Sequence, residues 1–219
     1  MRRFRFGQDP YTIRPSTYNL LMEPDQTPGK IYIEARPNLL LVPANVELFA
    51  AEYQLLNKPD RAERLRHAIQ RDENFLDFIL IDTPPNLNLL TVNGLVAAGE
   101  LLIPVAANYL SMRGVRSLLD SVRVIRDRIN PDLKLLGVLP TLVHSEMPHA
   151  MAAIAELQNV FKTKVFKTFI PLDDAAAAAP DRRKTALEYQ PDSAAAAAYQ
   201  ELANEVNHGS EGSGNLLEV

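Results

Sequence analysis

Phe78-Ile79-Leu80-Ile81-Asp82-Thr83-Pro84-Pro85 is the stretch on which the reading of the chain turns. Four consecutive apolar residues are too few for a helix, and the prolines that follow cannot continue a backbone ladder, so the run reads as a buried strand. Three other runs share this form: Leu39-Leu40-Leu41-Val42, Leu101-Leu102-Ile103 and Leu135-Leu136-Gly137-Val138-Leu139, closed by Pro43, Pro104 and Pro140. A fifth, Lys164-Val165-Phe166-Lys167-Thr168-Phe169-Ile170, ends at Pro171. Between them lie stretches of helical spacing: Glu47 to Leu56, Ala62 to Gln70, Leu87 to Ala98, Ser111 to Asn130, Met147 to Phe161 and Ser193 to Val206. Apolar strands separated by helices of this length predict an α/β fold, a largely parallel sheet with helices on both faces. The helix from Leu87 is apolar on most faces, which predicts burial against the sheet.

Composition narrows the function classes. Of 219 residues, 47% are hydrophobic and 23% charged, as in a packed globular domain. With no cysteine, a disulfide framework, a thiolate metal site and a cysteine nucleophile are excluded. The formal net charge is −4, so contact with nucleic acid requires a local basic patch rather than a global field. No apolar run approaches the roughly 20 residues that span a bilayer. The start, Met1-Arg2-Arg3-Phe4-Arg5, has no apolar stretch behind it and does not read as a secretory signal. The five-alanine runs Ala175 to Ala179 and Ala194 to Ala198 are compatible with helix, and the Gly/Ser-rich stretch from Gly209 to Gly214 predicts a mobile tail.

In parallel sheets ligands bind at the carboxyl ends of the strands, so chemistry is sought just after each apolar run. Asp82 stands at such an end, where nucleotide hydrolases place the carboxylate that holds a phosphate-bridging magnesium ion. A turn or helix-capping aspartate fits the same residues equally well. His67, His144, His149 and His208 have no metal-binding spacing and read as surface or packing residues.

Ile79-Leu80-Ile81-Asp82-Thr83-Pro84-Pro85-Asn86-Leu87, followed by Leu90-Thr91-Val92-Asn93-Gly94-Leu95-Val96-Ala97-Ala98, closely resembles ParA-type partition ATPases. Further blocks resemble the same family in the same order: Pro43-Ala44-Asn45-Val46-Glu47-Leu48, Gly137-Val138-Leu139-Pro140-Thr141, Val165 to Pro171 and Leu187-Glu188-Tyr189-Gln190-Pro191-Asp192-Ser193. The resemblance runs from about Phe6 to Val206. It implies a P-loop NTPase-like nucleotide-binding domain over residues 1–206, with 207–219 a flexible tail. It also implies ATP and Mg2+ as cofactors, Asp82 as the magnesium (Walker B) ligand, and Thr83, Pro84 and Pro85 as a switch. Thr141 and Pro171 resemble positions lining the family's adenine pocket.

One family block has no counterpart. The Gly-rich phosphate loop with two lysines and a threonine is absent, and the one Gly-Lys pair, Gly29-Lys30, reads as a turn. Aligned to the family, Met1 falls after the first strand, the phosphate loop and the strand bearing the catalytic aspartate. No catalytic residue is therefore assigned. The missing strand would lie beside Phe78–Ile81, so its loss is expected to bare that strand and to destabilise the isolated chain. An N-terminally truncated copy of an ordinary ATPase and a degenerate paralogue both fit.

For partners, the resemblance implies a homodimer or an intact paralogue, a ParB-like adaptor, and DNA bound without sequence preference. It implies no membrane and a cytoplasmic, nucleoid-associated location. Candidate DNA contacts are Lys162, Lys164, Lys167, Arg182, Arg183 and Lys184; a solvated charged face is the ordinary meaning of such a cluster. Arg113, Arg116, Arg123 and Arg126 could share one solvated helix face. Many relatives carry Glu where this chain has Ala178, and Gly is frequent where it has Arg183. Two functions follow: chromosome or plasmid partitioning by ATP-dependent dimerisation and DNA binding, or a non-hydrolysing module that pairs with an intact relative or adaptor.

Overall fold

The computed structural model describes residues 9–23, 25–71, 76–84, 86–107, 109–144 and 146–209. They form two compact units, one of the described residues up to 99 together with 125–131, the other of those in 100–124 together with those from 132 onward.

The first unit is mainly helical. In α1 (Thr17–Met22), the Ser16 hydroxyl accepts from the Tyr18 amide at 3.2 Å, while Asn19 reaches back to the Ser16 amide at 3.0 Å. This reciprocal cap satisfies amides that a first turn otherwise leaves unpaired. Leu20 packs with Ile31 and Ala68, and Leu21 with Ala51 and Leu55. Helices α2 (Leu48–Leu55), α3 (Arg64–Ile69) and α4 (Leu89–Ala97) match the periodic stretches within one or two residues.

Two polar side chains lock α4 in place. Asn93, 1% exposed, donates to the carbonyls of Arg61 at 2.7 Å and Leu89 at 3.0 Å and accepts from the Leu65 amide at 3.2 Å. Asn130 donates to the carbonyls of Leu95, Val96 and Ala98 at 2.9, 3.2 and 2.8 Å, satisfying the end of α4.

Two strand expectations are corrected in this unit. Leu39–Leu41 forms β2, but it pairs antiparallel with β1 (Ile33–Arg36), and Leu39 and Leu40 are each 40% exposed rather than buried. The connection is Pro37-Asn38, with Asn38 at φ 61° in the left-handed region that Asn tolerates, and so short a loop can join only antiparallel strands. Phe78–Ile81 joins no ladder among the described residues. Phe78, Ile79 and Leu80 are 63%, 42% and 91% exposed, because an apolar run of this kind needs a neighbouring strand that no described residue supplies.

The second unit carries the parallel sheet. Strands β3 (Glu100–Ala106) and β4 (Lys134–Thr141) pair in parallel, with Ile103 opposite Val138, and α5 (Tyr109–Arg128) connects them. On one face Ile103, Val105, Leu135 and Val138 pack with Val115, Leu119 and Leu157 of α5 and α6 (Pro148–Phe161). On the other, Leu102, Leu136 and Leu139 pack with Phe166, Ile170 and residues of α9 (Ala194–Gly209), including Ala198 and Leu202. Helices on both faces of a parallel pair are the α/β arrangement the sequence predicts.

The segment after α6 follows β4 only at intervals. It bridges Val165 to Val138 and Pro171 to Val143, with the Phe166 amide donating to Val138 at 3.0 Å and Ile170 to Pro140 at 2.9 Å. The regular strand expected over 164–170 is interrupted because the Glu205 carboxylate takes the Lys167 and Thr168 amides at 2.8 and 2.9 Å. Burial pushes the Glu205 carboxyl up, yet these amides hold it below its ordinary value.

Asp173 joins α7 (Asp174–Ala178) to α9. One carboxylate oxygen accepts from the Ala175 and Ala176 amides at 2.7 and 3.2 Å, and the other from Ala195 at 3.0 Å. The Ala195 bond above all, then those of α7, holds this carboxyl below its ordinary value despite some burial. Asp173→Ala is expected to cost about 1–2 kcal/mol at pH 7, the size of a lost helix cap. Because the folded-state value is lowered, this stability is complete above the unfolded carboxyl value near 4 and is lost as pH falls through the folded one. Urea unfolding at pH 7 and pH 3 checks this: the gap between wild type and variant narrows at the lower pH.

Candidate functional site

The Asp82 segment lies on α4 through one missing side chain. A Cβ built on Gly94 would stand 2.9 Å from the Thr83 methyl and 3.3 Å from Ile81 Cγ2. Ile81 and Thr83, two residues apart, thus share one side of the segment, as alternate residues of a strand do, and Asp82 belongs to the other. Farther along α4, the Thr91 hydroxyl donates to the Asn86 carbonyl at 2.6 Å and so fixes the turn that follows.

Asp82 is exposed, and among the described residues its carboxylate accepts no hydrogen bond and enters no ion pair. The capping alternative goes to another residue: Asn88 caps α4, accepting from the Thr91 amide at 3.0 Å. A free carboxylate offers the hard oxygen donor that magnesium prefers, and magnesium takes its remaining ligands from water and phosphate. Asp82 therefore fits the metal half of a nucleotide site.

No fit exists for the phosphate half among the described residues. Pro28–Lys30 is a single 3-10 turn, as its reading as a turn predicts, and the Lys30 ammonium is spent on the Asp25 carbonyl at 2.8 Å. Of the switch residues, Thr83 and Pro84 are exposed, and Pro85 lies outside the described residues.

Thr141 and Pro171 are carried by neighbouring segments of the second unit. The Thr141 carbonyl accepts from Ala107 at 2.9 Å, tying the ends of β3 and β4 together. Two residues on, Val143 donates to Ile170 at 3.1 Å and accepts from Leu172 at 3.0 Å, which brings the Pro171 segment alongside. Between them Leu142 sits at φ 52° and is 56% exposed. A bulky residue held in the left-handed region stores strain, and such strain gathers at functional sites. Its neighbour His144 is exposed.

The basic candidates form two groups in the second unit. Lys162 and Lys164 lie in a 3-10 turn after α6, with Lys167 just beyond; Arg182, Arg183 and Lys184 lie in the turn after α7. All are exposed except the half-buried Lys164; the side chains of Lys162, Lys164, Arg182 and Lys184 make no ion pair among the described residues, while the Lys167 charge acts on the Glu205 carboxylate. Arg183 stands at φ 56°, ψ 34°, the left-handed conformation that explains why glycine suits this position. Arg123 and Arg126 pair with Asp120 and Asp127 at 3.4 and 3.0 Å, as a solvated helix face does. The side chains of Arg113, Arg116 and His149 lie outside the described residues.

His67 lines a small cleft in the first unit with Glu23, Asp60 and Arg64. His208 contacts the Asn204 carbonyl one turn earlier at 2.7 Å.

Sequence reasoning missed Gly94, Thr91 and Leu142 as site residues. A glycine inside an apolar helical pattern is a signal of close backbone approach, and Gly94 carried it. Gly94→Ala sets a helix-propensity gain of about 1 kcal/mol against overpacking of about 1–3 kcal/mol. The net expectation is a loss of about 1 kcal/mol, with faster amide exchange at residues 81–84, read by thermal melts and hydrogen exchange.

Residues 3–135 match a family model described as an AAA domain. The chain is similar to the sporulation initiation inhibitor protein Soj of Bacillus subtilis, 33% identical over 200 residues, covering 91% of this chain and 79% of that protein. It is also similar to the chromosome-partitioning ATPase Soj of Thermus thermophilus, 40% identical over 166 residues, covering 76% of this chain and 65% of that protein. Among solved structures, a cobyrinic acid a,c-diamide synthase from Mycobacterium smegmatis with bound ADP and magnesium superposes with a TM-score of 0.79. That pair is 29% identical, with 94% of this chain and 77% of the other covered. With a family model over more than half its length, a Soj relative covering 91% of it and a chromosome-partitioning Soj covering 76%, the chain belongs to the ParA-type family of partition ATPases.

Proposed function

We propose that this chain acts in chromosome or plasmid partitioning, with residues 1–206 forming a nucleotide-binding domain that dimerises with ATP and binds DNA without sequence preference. The observation that carries the reading is the exposed carboxylate of Asp82, unpartnered among the described residues, at the end of an apolar segment that packs on Gly94. Magnesium bound there would neutralise phosphate charge. Thr83 and Pro84 stand next to that carboxylate and would move with it, and Gly94 would pass the movement to α4. Thr141 and Pro171 are proposed to line the base-binding end. A second copy or an intact paralogue, and a ParB-like adaptor, complete the assembly in the cytoplasm on the nucleoid.

The DNA part is tested by salt-dependent binding of the full chain to an arbitrary duplex with ATP and magnesium. Each phosphate contact contributes about −0.9 to the slope of log affinity against log salt. Replacing Lys162, Lys164 and Lys167 by Glu together is expected to reduce the slope by about 2–3. An unchanged slope and affinity would remove these lysines from the DNA surface.

A further inference from the structure

Asp173 closes a loop with one side chain. Oδ1 accepts from the Ala175 and Ala176 amides at the start of α7, and Oδ2 from the Ala195 amide at the start of α9, 22 positions later. Residues 174–194 thus leave and return at a single carboxylate. The point of attachment is itself fixed, because the preceding residue, Leu172, donates to the Val143 carbonyl at 3.0 Å. At the far end of α7 the buried Ala179 carries the turn that follows. The Lys184 amide donates to the Ala179 carbonyl at 3.1 Å and the Arg183 amide to that of Pro180 at 3.0 Å. Arg182, Arg183 and Lys184 are exposed on this turn.

We propose that Asp173 is a positioning residue for DNA, holding the turn of Arg182, Arg183 and Lys184 in an orientation that presents its charges to backbone phosphates. The inference rests on the DNA-binding reading above and adds to it a residue that does not touch DNA. Cationic side chains on a loose excursion lose conformational entropy when they are ordered on a phosphate backbone. A carboxylate that fastens both ends of the excursion leaves only the side-chain torsions to be fixed on binding. The other caps of the region are local. Thr185 and Glu188 bond each other's backbone amides, and the Ser193 hydroxyl accepts from the Ala196 amide at 3.1 Å.

Charge alone predicts the opposite of positioning. Asp173 is an anion close in sequence to the turn proposed to meet a polyanion, so removing its charge strengthens DNA binding if the carboxylate does nothing else. Loosening the turn weakens binding. Asp173→Asn separates the two effects, because an amide side chain has one accepting oxygen and its nitrogen can only donate. Whichever way it turns, asparagine holds one helix end and releases the other, while the negative charge is gone.

The test follows binding of the full chain to an arbitrary duplex with ATP and magnesium over a series of salt concentrations, at a temperature where each variant is folded. The double variant Arg182→Ala, Lys184→Ala is expected to lower the slope of log affinity against log salt by about 2, the share of two phosphate contacts. Asp173→Asn keeps both cations, yet is expected to lose affinity, to reproduce most of that fall in slope and to speed amide exchange at residues 183 and 184. Ser193→Ala is the control for stability. It removes the other cap of α9 and is expected to lower the melting temperature as Asp173→Asn does, with affinity and slope as in wild type. Unchanged or tighter binding by Asp173→Asn would overturn the proposal and leave the DNA reading standing. An equal loss of binding in Ser193→Ala would also overturn it, by making the effect one of stability. An unchanged slope in the double variant would do the same by taking the turn off the DNA surface. A wild-type chain that does not bind the duplex would remove the DNA reading itself, and the positioning role with it.

Discussion

Gly137→Val is expected to lower stability by about 3 kcal/mol, the upper end of what overpacking costs. A Cβ at this position would stand 2.6 Å from Cε2 and 3.0 Å from Cδ2 of Phe166, and 3.0 Å from the Lys164 carbonyl oxygen. No real Cβ tolerates the first distance, and the ring cannot retreat. Phe166 is 7% exposed and packs with Leu139, Ile170 and Ala198, while its amide is bonded to Val138 at 3.0 Å. The carbonyl is backbone and cannot rotate away. Valine's branches add to the clash, so Gly137→Ala should lose less, about 1–2 kcal/mol. Urea unfolding followed by far-ultraviolet circular dichroism measures both, and a valine variant within 0.5 kcal/mol of wild type would contradict the packing described for β4.

Under the proposed function, Asp82→Asn is expected to do the opposite: no change in fold and complete loss of partitioning. The carboxylate is exposed and bonded to no described residue, so its removal touches nothing that holds the first unit together. Surface changes of that kind stay within about 0.5 kcal/mol. Asparagine keeps the shape and one carbonyl oxygen but removes the negative charge, and a hard dication depends on that charge. A capping aspartate would show the reverse pattern, a loss of stability with function retained. Asn88 already performs that role for α4.

Much of the fold was legible in the residues. Leu101–Ile103 and Leu135–Leu139 became the parallel pair because both faces of each are apolar, which only a sheet covered by helices on both sides accommodates. The long helices were read from period alone. What stayed hidden depends on partners distant in sequence. Leu39–Val42 has the composition of a buried parallel strand, but the two-residue Pro37-Asn38 connection folds it onto Ile33–Arg36, whose alternating polar residues gave no apolar run to notice. Residues 164–170 lose regular pairing to a carboxylate 37 positions from Thr168, which no local pattern reveals. The short α1 rests on a cap at Ser16 rather than on periodicity.

At the site, Asp82 was visible because a lone charge ends an apolar run. Gly94 was visible only as an interruption, since its role is a distance to Thr83 and Ile81. Leu142 was not visible at all, because a positive φ at leucine has no sequence signal. Arg183 was noticed as standing where glycine is frequent, and its left-handed backbone supplies the reason.

The most direct test of the account is the inheritance of a marked replicon in cells whose only copy of this gene carries Asp82→Asn, with the variant's level and melting temperature matched to wild type. The account predicts a stable, folded protein and loss of the replicon at the rate of cells lacking the gene. Wild-type inheritance with the carboxylate gone would contradict it and leave the non-hydrolysing interaction module as the function.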